Sequence, residues 1–170
     1  MDLSKFIIDV PNFPSSGVIF KDITPLLEDA QAFKYTIEQM VQFAKEVGAT
    51  VVVAPEARGF LFASAVCFAA GLRFVIARKP NKLPRETFKA VYELEYGENA
   101  LEINRDAIKQ NDRVLIVDDI LATGGTAKAI VELVEKSNAT VVGAVFLGEL
   151  KEIYKNDVLK DIKIKSLLTF

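Results

Sequence analysis

The chain has 170 residues, about the size of one domain, and 51% of them are apolar, enough for a sizeable core. A net charge of -2 and a pI near 5.3 give no global positive field to recruit nucleic acid, and no window holds the eighteen or so uninterrupted apolar residues of a membrane span. There is no histidine, which excludes Ser-His-Asp and Cys-His nucleophiles and His-ligated zinc, so acid–base chemistry falls to a carboxylate, Lys, Tyr, Cys or the substrate. The start, MDLSKFIIDV, has acids at both ends and no small-residue cleavage site, so no signal peptide is expected. The single cysteine, Cys67, has no intrachain partner and sits in an apolar run, which predicts packing rather than catalysis and a cytoplasmic setting. The nine glycines never fall as G-x-G-x-x-G or G-x-x-x-x-G-K-[ST].

In chain order, Thr24-Pro25 predicts a helix start with Thr as cap and Pro at the first position. The stretch DAQAFKYTIEQMVQFAKEVG then carries Phe33, Ile37, Met40, Val41, Ala44 and Val47 at three- and four-residue spacing, with Gly48 ending the helix. TVVVA reads as a short buried strand, Gly59 to Ala70 as a helix closed by Gly71, and RFVIA as a second strand. About thirty-five residues follow before the next strand, and a connection of that length marks a lid or binding loop. Within it, ETFKAVYELEYG and ENALEI alternate with period two around Gly97, predicting an antiparallel hairpin standing apart from the sheet. DRVLIVDD is the third strand, Thr126 to Ser137 a helix, ATVVGAVFL the fourth strand and IKIKSLLTF the last. Apolar strands alternating with helices predict an α/β fold, a parallel sheet covered on both faces. Ligands of such sheets sit at the carboxyl ends of the strands. PEARGF and DDILATGGT both fall there.

The segment VLIVDDILATGGTAKAI, residues 114–130, pairs two carboxylates with a small-residue turn. Gly124 and Gly125 allow a tight turn whose N–H groups point inward as an anion nest. The following helix brings its positive dipole end to the same point, and Thr123 and Thr126 add hydroxyls, so a monophosphate fits. An ordinary strand-to-helix turn would use the same residues. Asp118 and Asp119 are suited to a ribose diol or to helping hold magnesium. Turn-forming aspartates, or the acid of an ATPase whose phosphate loop is missing here, are the other readings. Together the two halves ask for ribose hydroxyls and a 5′-phosphate on one ligand.

VLIVDDILATGGT resembles the phosphoribosyl-pyrophosphate signature of the type I phosphoribosyltransferases. PNFPSSGVIFKDITPLL, PEARGFLF, RKPNKLP and YELEYGENALEI narrow the likeness to the adenine phosphoribosyltransferases, over roughly residues 3–150. The resemblance implies one domain over 1–170: a type I phosphoribosyltransferase fold with a central, mostly parallel twisted sheet, helices on both faces, a small hood over about 1–25 and a hairpin lid over about 78–103. It implies purine salvage: adenine and phosphoribosyl pyrophosphate give AMP and pyrophosphate, with Mg2+, in a homodimer that binds neither nucleic acid nor membrane.

The site residues follow from the same resemblance. Ala122, Thr123, Gly124, Gly125 and Thr126 would cradle the 5′-phosphate. Asp118 and Asp119 would hold the ribose hydroxyls and, through water, the magnesium, with no direct protein ligand. Glu56, Ala57, Arg58, Arg78, Lys79 and Lys82 would surround pyrophosphate, across a Glu56-Ala57 peptide that the family has in cis, and Arg58 would face pyrophosphate or the base edge. The main chain of Ile19 would read adenine, between Phe20 and Leu121. Alternation puts Glu93 and Glu95 on one face; the resemblance chooses Glu95, the acid in LEYG, as the catalytic residue. The apolar helix Phe60 to Ala70 is the candidate two-fold interface. Relatives often have FPKPG where this chain has FPSSG, and a glycine and an aliphatic residue where it has Ala54-Pro55. The alternatives are another purine or orotate transferase, or a non-catalytic module sensing phosphoribosyl pyrophosphate.

Overall fold

A computed structural model describes residues 1–93, 98–154 and 159–170. A 3-10 turn over Leu3–Phe6 leads into a small antiparallel hairpin of β1 (Ile8–Pro11) and β2 (Ile19–Asp22). The chain continues through α1 (Thr24–Glu28), α2 (Ala30–Glu46), β3 (Val51–Pro55), α3 (Gly59–Ala70) and β4 (Arg73–Ala77). A second hairpin, β5 (Thr87–Glu93) and β6 (Glu98–Asn104), precedes β7 (Arg113–Leu121), α4 (Gly125–Lys136), β8 (Thr140–Glu149) and β9 (Ile164–Thr169). The central sheet is parallel throughout, in the order β4-β3-β7-β8-β9.

Every residue of β3 is buried, because both faces of the sheet are covered and no solvent side is left to alternate with. Alternate residues of the strands then serve two different cores. Val52, Ala54, Leu115, Val117, Val145 and Leu147 pack with Met40 and Phe43 of α2 and Phe62 and Val66 of α3. Val53, Val75, Ile116, Ala144 and Phe146 pack with Ile130 and Leu133 of α4.

The first helix differs from expectation. Ile23 occupies the cap position of α1, with Thr24 and Pro25 inside the helix, because Asp22 already accepts the Thr24 N–H at 2.9 Å. The long helix has its own start, where Asp29 accepts from the backbone of Gln31 and Ala32 at 3.0 and 2.8 Å. Gly71 closes α3 in the left-handed conformation, φ 67°.

The β5–β6 hairpin is a separate two-stranded sheet, but its base does not stand apart from the body. Ala90, Leu101 and Ile103 are buried in the α4 core. Arg78, just past β4, exchanges two backbone hydrogen bonds with Glu102, at 2.9 and 2.7 Å. Lys136 at the end of α4 donates to the Lys89 carbonyl at 2.6 Å. Period-two alternation identified the strands correctly, yet a hairpin with one apolar face must bury that face, and here the body receives it.

Candidate active site

The β3–β7 ladder ends at Val53–Ile116, whereas β7 remains paired with β8 as far as Leu121–Glu149. Pro55 suits this divergence. Glu56 donates to the Ala77 carbonyl on the β4 side, so the imino nitrogen of Pro55 faces the β7 side, where no ladder partner remains. Beyond this point the chain leaves β3 for α3 on one face and leaves β7 for α4 on the other. A crevice opens between them at the carboxyl edge of the sheet, the switch point at which such folds bind ligands. The third strand therefore runs two residues past the aspartates, and Asp118 and Asp119 stand on a rigid strand rather than in a turn.

Asp119 is 5% exposed, and its Oδ2 lies 2.6 Å from Arg58 Nε. Asp118 is half-buried, and its Oδ1 accepts the Asp119 N–H at 2.8 Å. Burial, and then the neighbouring Asp119 charge, push the Asp118 carboxyl well above the ordinary carboxylate range, and Arg58 only partly opposes them. Glycine is required at position 59 to make room: a Cβ there would stand 2.8 Å from Asp118 Oδ1 and 3.0 Å from the Pro55 ring. Sequence reading took Gly59 only as a helix start. Its signal was the glycine directly after Arg58, where a helix former would be expected.

Ala122, Thr123, Gly124 and Thr126 line a cup of about 60 Å³, together with Asp118, Leu121, Ala127 and Phe146, while Gly125 opens α4 beside it. Gly124 is left-handed, φ 86°, and cannot cap α4 with a side chain; the Gly125 N–H donates instead to Thr123 Oγ1 at 3.3 Å, and the other N–H groups of an α-helix's first turn have no intrahelical partner. Leu121, 2% exposed, belongs to this wall. A larger hollow of about 570 Å³ lies elsewhere, against the outer side of α4 near Lys160 and Ile162, and includes none of these groups.

A second charged cluster borders the crevice. The peptide between Glu56 and Ala57 is cis. The Glu56 carboxylate meets Arg78 Nε at 2.8 Å and Lys82 Nζ at 3.5 Å and accepts the Lys79 N–H at 3.0 Å. Burial works to raise its proton affinity, but these donors outweigh burial and hold Glu56 below its usual range. Glu56 is thus turned toward the basic loop, where it gathers the three cationic residues named from sequence.

Arg58 joins the two sides. Its guanidinium carbon stands 4.9 Å from the Phe20 ring centre while Nε holds Asp119. Phe20 also meets Phe13 edge-on at 5.1 Å. Ile19 beside it is 57% exposed. Glu95 and Tyr96 lie outside the described residues.

Residues 26–167 match the phosphoribosyl transferase domain family. The chain is 50% identical to the adenine phosphoribosyltransferase of Mycoplasma capricolum, over the full length of both. The crystal structure of adenine phosphoribosyltransferase from Thermoanaerobacter pseudethanolicus superposes with a TM-score of 0.96 at 45% identity, covering 99% of this chain and 98% of that one. The Saccharomyces cerevisiae enzyme superposes at 0.93 and 38% identity, covering 98% and 97%. That protein was complexed with adenine and D-2,5-dideoxy-2,5-imino-altritol 1,6-bisphosphate.

The Asp118 environment predicts a pH-dependent stability difference. A raised carboxyl pKa means the folded protein keeps a proton that the unfolded chain has released, so stability falls as pH climbs through that interval. Asp118→Asn keeps the acceptor for the Asp119 N–H and removes the titration. Denaturant unfolding should find the variant more stable than wild type at pH 8, with the gap closing toward pH 4. A wild type more stable than the variant at pH 8 would contradict this account.

Proposed function

The chain belongs to the adenine phosphoribosyltransferase family, and on that premise we infer that it transfers the 5-phosphoribosyl group of phosphoribosyl pyrophosphate to adenine, releasing AMP and pyrophosphate in purine salvage. The observation that carries this reading is Arg58, whose one guanidinium touches both Asp119 on the sugar side and Phe20 on the base side. A nucleotide spans those two places when its 5′-phosphate sits in the Ala122–Thr126 cup.

The reaction follows from this placement. A ring nitrogen of adenine attacks the anomeric carbon, and pyrophosphate leaves with the bonding pair. The sugar becomes cationic between the two, so rate depends on in-line positioning and on fixed charge. Phosphate in the cup fixes one end of the ribose. Asp118 and Asp119 accept from its 2′- and 3′-hydroxyls, close to the developing cation. Arg78, Lys79 and Lys82, gathered by Glu56, attract the leaving tetra-anion. Arg58 is shared between pyrophosphate and the base edge. The Ile19 main chain accepts from the exocyclic amine and donates to the unprotonated ring nitrogen, a pattern that a 6-oxopurine cannot meet. Phe20 stacks on the ring from one side, and Leu121, buried in the wall of the cup, backs the sugar end of the nucleotide. Glu95 takes the proton released as the purine nitrogen attacks.

Mg2+ fits the donors at hand. It binds through one or two carboxylates, water and substrate phosphates, and Asp118 and Asp119 offer that set through water; no group of three or more acidic or sulfur side chains converges among the described residues. When bound, it neutralises pyrophosphate charge.

We read residues 1–170 as one catalytic unit with a hood over about 1–25 and a lid over about 78–103. The buried free thiol Cys67 supports a cytoplasmic setting, and no helix among the described residues is long and apolar enough to cross a membrane. The α3 face supports a homodimer: Leu61 is exposed, and Phe68, seven residues on, is 92% exposed. Large apolar side chains aligned on one helix face and open to water mark a contact surface.

Three measurements test this reading. Pyrophosphate release from phosphoribosyl pyrophosphate and Mg2+ should be fast with adenine and negligible with hypoxanthine or guanine; comparable turnover with hypoxanthine would remove the base assignment. Glu95→Gln should fold normally, bind the sugar diphosphate and lose roughly 10²–10⁴-fold in kcat, with a much smaller loss in Glu93→Gln. Sedimentation should show a dimer that Phe68→Glu converts to monomer, and a variant still dimeric at micromolar concentration would place the interface elsewhere.

A further inference from the structure

The β1–β2 hairpin buries little of itself: three of the four β1 residues are exposed, and Ile19 opens β2 with its side chain in solvent. It is fastened to the body through adjacent residues of β2, whose side chains leave opposite faces of the strand. On one face, the Phe20 ring receives the body cation Arg58 at 4.9 Å. On the other, Lys21 reaches a body ring: its Nζ stands 4.6 Å from the centre of Phe170. Lys21 is only 15% exposed, and its ammonium also pairs at 2.7 Å with Asp9, the residue opposite it on β1. The cation is therefore held between the partner strand and the ring, and it cannot swing into solvent without giving up both.

Phe170 is itself fixed. Its N–H donates to the Glu149 carbonyl at 2.9 Å, and its carbonyl accepts from Lys151 N–H at 3.1 Å. Its ring fills the space beside Gly148, where an added Cβ would overlap it. Gly148 is the register partner of Ile120, one residue beyond Asp119 on β7. Phe170 thus belongs to the same rigid sheet edge that carries the sugar-binding carboxylates. The two fastenings differ in what a ligand does to them. Arg58 is a working group, which a substrate draws on. Lys21 and Phe170 touch none of the groups placed at the substrate, so their contact persists through the reaction.

We propose that Phe170 is a positioning residue for the purine: through Lys21 it fixes the height and angle of β2, and with them the Ile19 main chain and the Phe20 ring, over the sugar site. This rests on the assignment of Ile19 and Phe20 to adenine. The phosphate cup, the aspartate pair and the basic loop lie on other elements, so a loosened hairpin weighs on the base far more than on the sugar diphosphate, which it meets only through Arg58.

The test compares wild type with Phe170→Ala, Phe170→Tyr and Lys21→Met. A partly desolvated cation–ring contact sets the expected scale at about three- to tenfold. Phe170→Ala and Lys21→Met should each raise the KM for adenine by that factor and leave the KM for phosphoribosyl pyrophosphate and the kcat at saturating adenine within about twofold. Their double variant should be no worse than Lys21→Met alone, because both singles remove the Lys21–Phe170 contact and Lys21→Met also removes the Asp9 pair. Phe170→Tyr keeps the ring and should restore the wild-type value. Hydrogen exchange should show lost protection confined to β1 and β2. An unchanged adenine KM, equal changes in both KM values, or failed rescue by tyrosine would each overturn the proposal. If Phe170→Ala does not fold, Lys21→Met carries the same kinetic test. A wild type without adenine activity would instead remove the function on which the proposal rests.

Discussion

The site depends on where β3 and β7 stop exchanging hydrogen bonds. Up to Val53 and Ile116 they are neighbours in a parallel ladder; beyond it each follows its own helix to an opposite face. A proline at the last residue of β3 suits that ending, and the crevice is the geometric result. Had the ladder continued, β7 would have a strand neighbour on that side at Asp118 and Asp119, and no crevice would open there. Because β8 still pairs with β7 through Leu121, the two carboxylates project from a braced strand, and catalysis by positioning needs that rigidity.

The electrostatics of the crevice are arranged for a ligand that carries both charge and hydroxyls. Two adjacent, poorly hydrated carboxylates repel each other, and Arg58 relieves only part of the cost. On the other side Glu56 holds Arg78 and Lys82 together, although their like charges would otherwise drive them apart. Each cluster is incomplete in itself. The acidic one benefits from donors and the basic one from an anion, and a sugar bearing a diphosphate supplies both.

Much of this was legible in the sequence, for identifiable reasons. The parallel sheet was readable because strands buried on both faces are continuously apolar, as VVVA and VLIV are. The tight turn before α4 was readable because a left-handed residue directly before a helix favours glycine, as Gly124 is. The cap of the first helix was misread, since Thr24-Pro25 satisfies the local rule while the actual donor pairing comes from Asp22. The hairpin was found, but its docking was missed; alternation specifies two faces without saying which body surface covers one of them. Only the fold could show that the Glu56 carboxylate faces Arg78 and Lys82. Gly59 was the least visible, because the atom that excludes a side chain there belongs to a residue 59 positions away in sequence.

Helix α4 has its first turn at the cup beside Asp118 and its last turn against the hairpin base, where Lys136 holds both Glu132 at 2.7 Å and the Lys89 carbonyl at 2.6 Å. Its 12 residues make a rod about 18 Å long. A rod of three turns bends little, so a tilt at one end appears at the other. The cup and the base of the hairpin therefore share one mechanical frame. Geometry set at the first turn of α4 is carried, without any loop between, to β5.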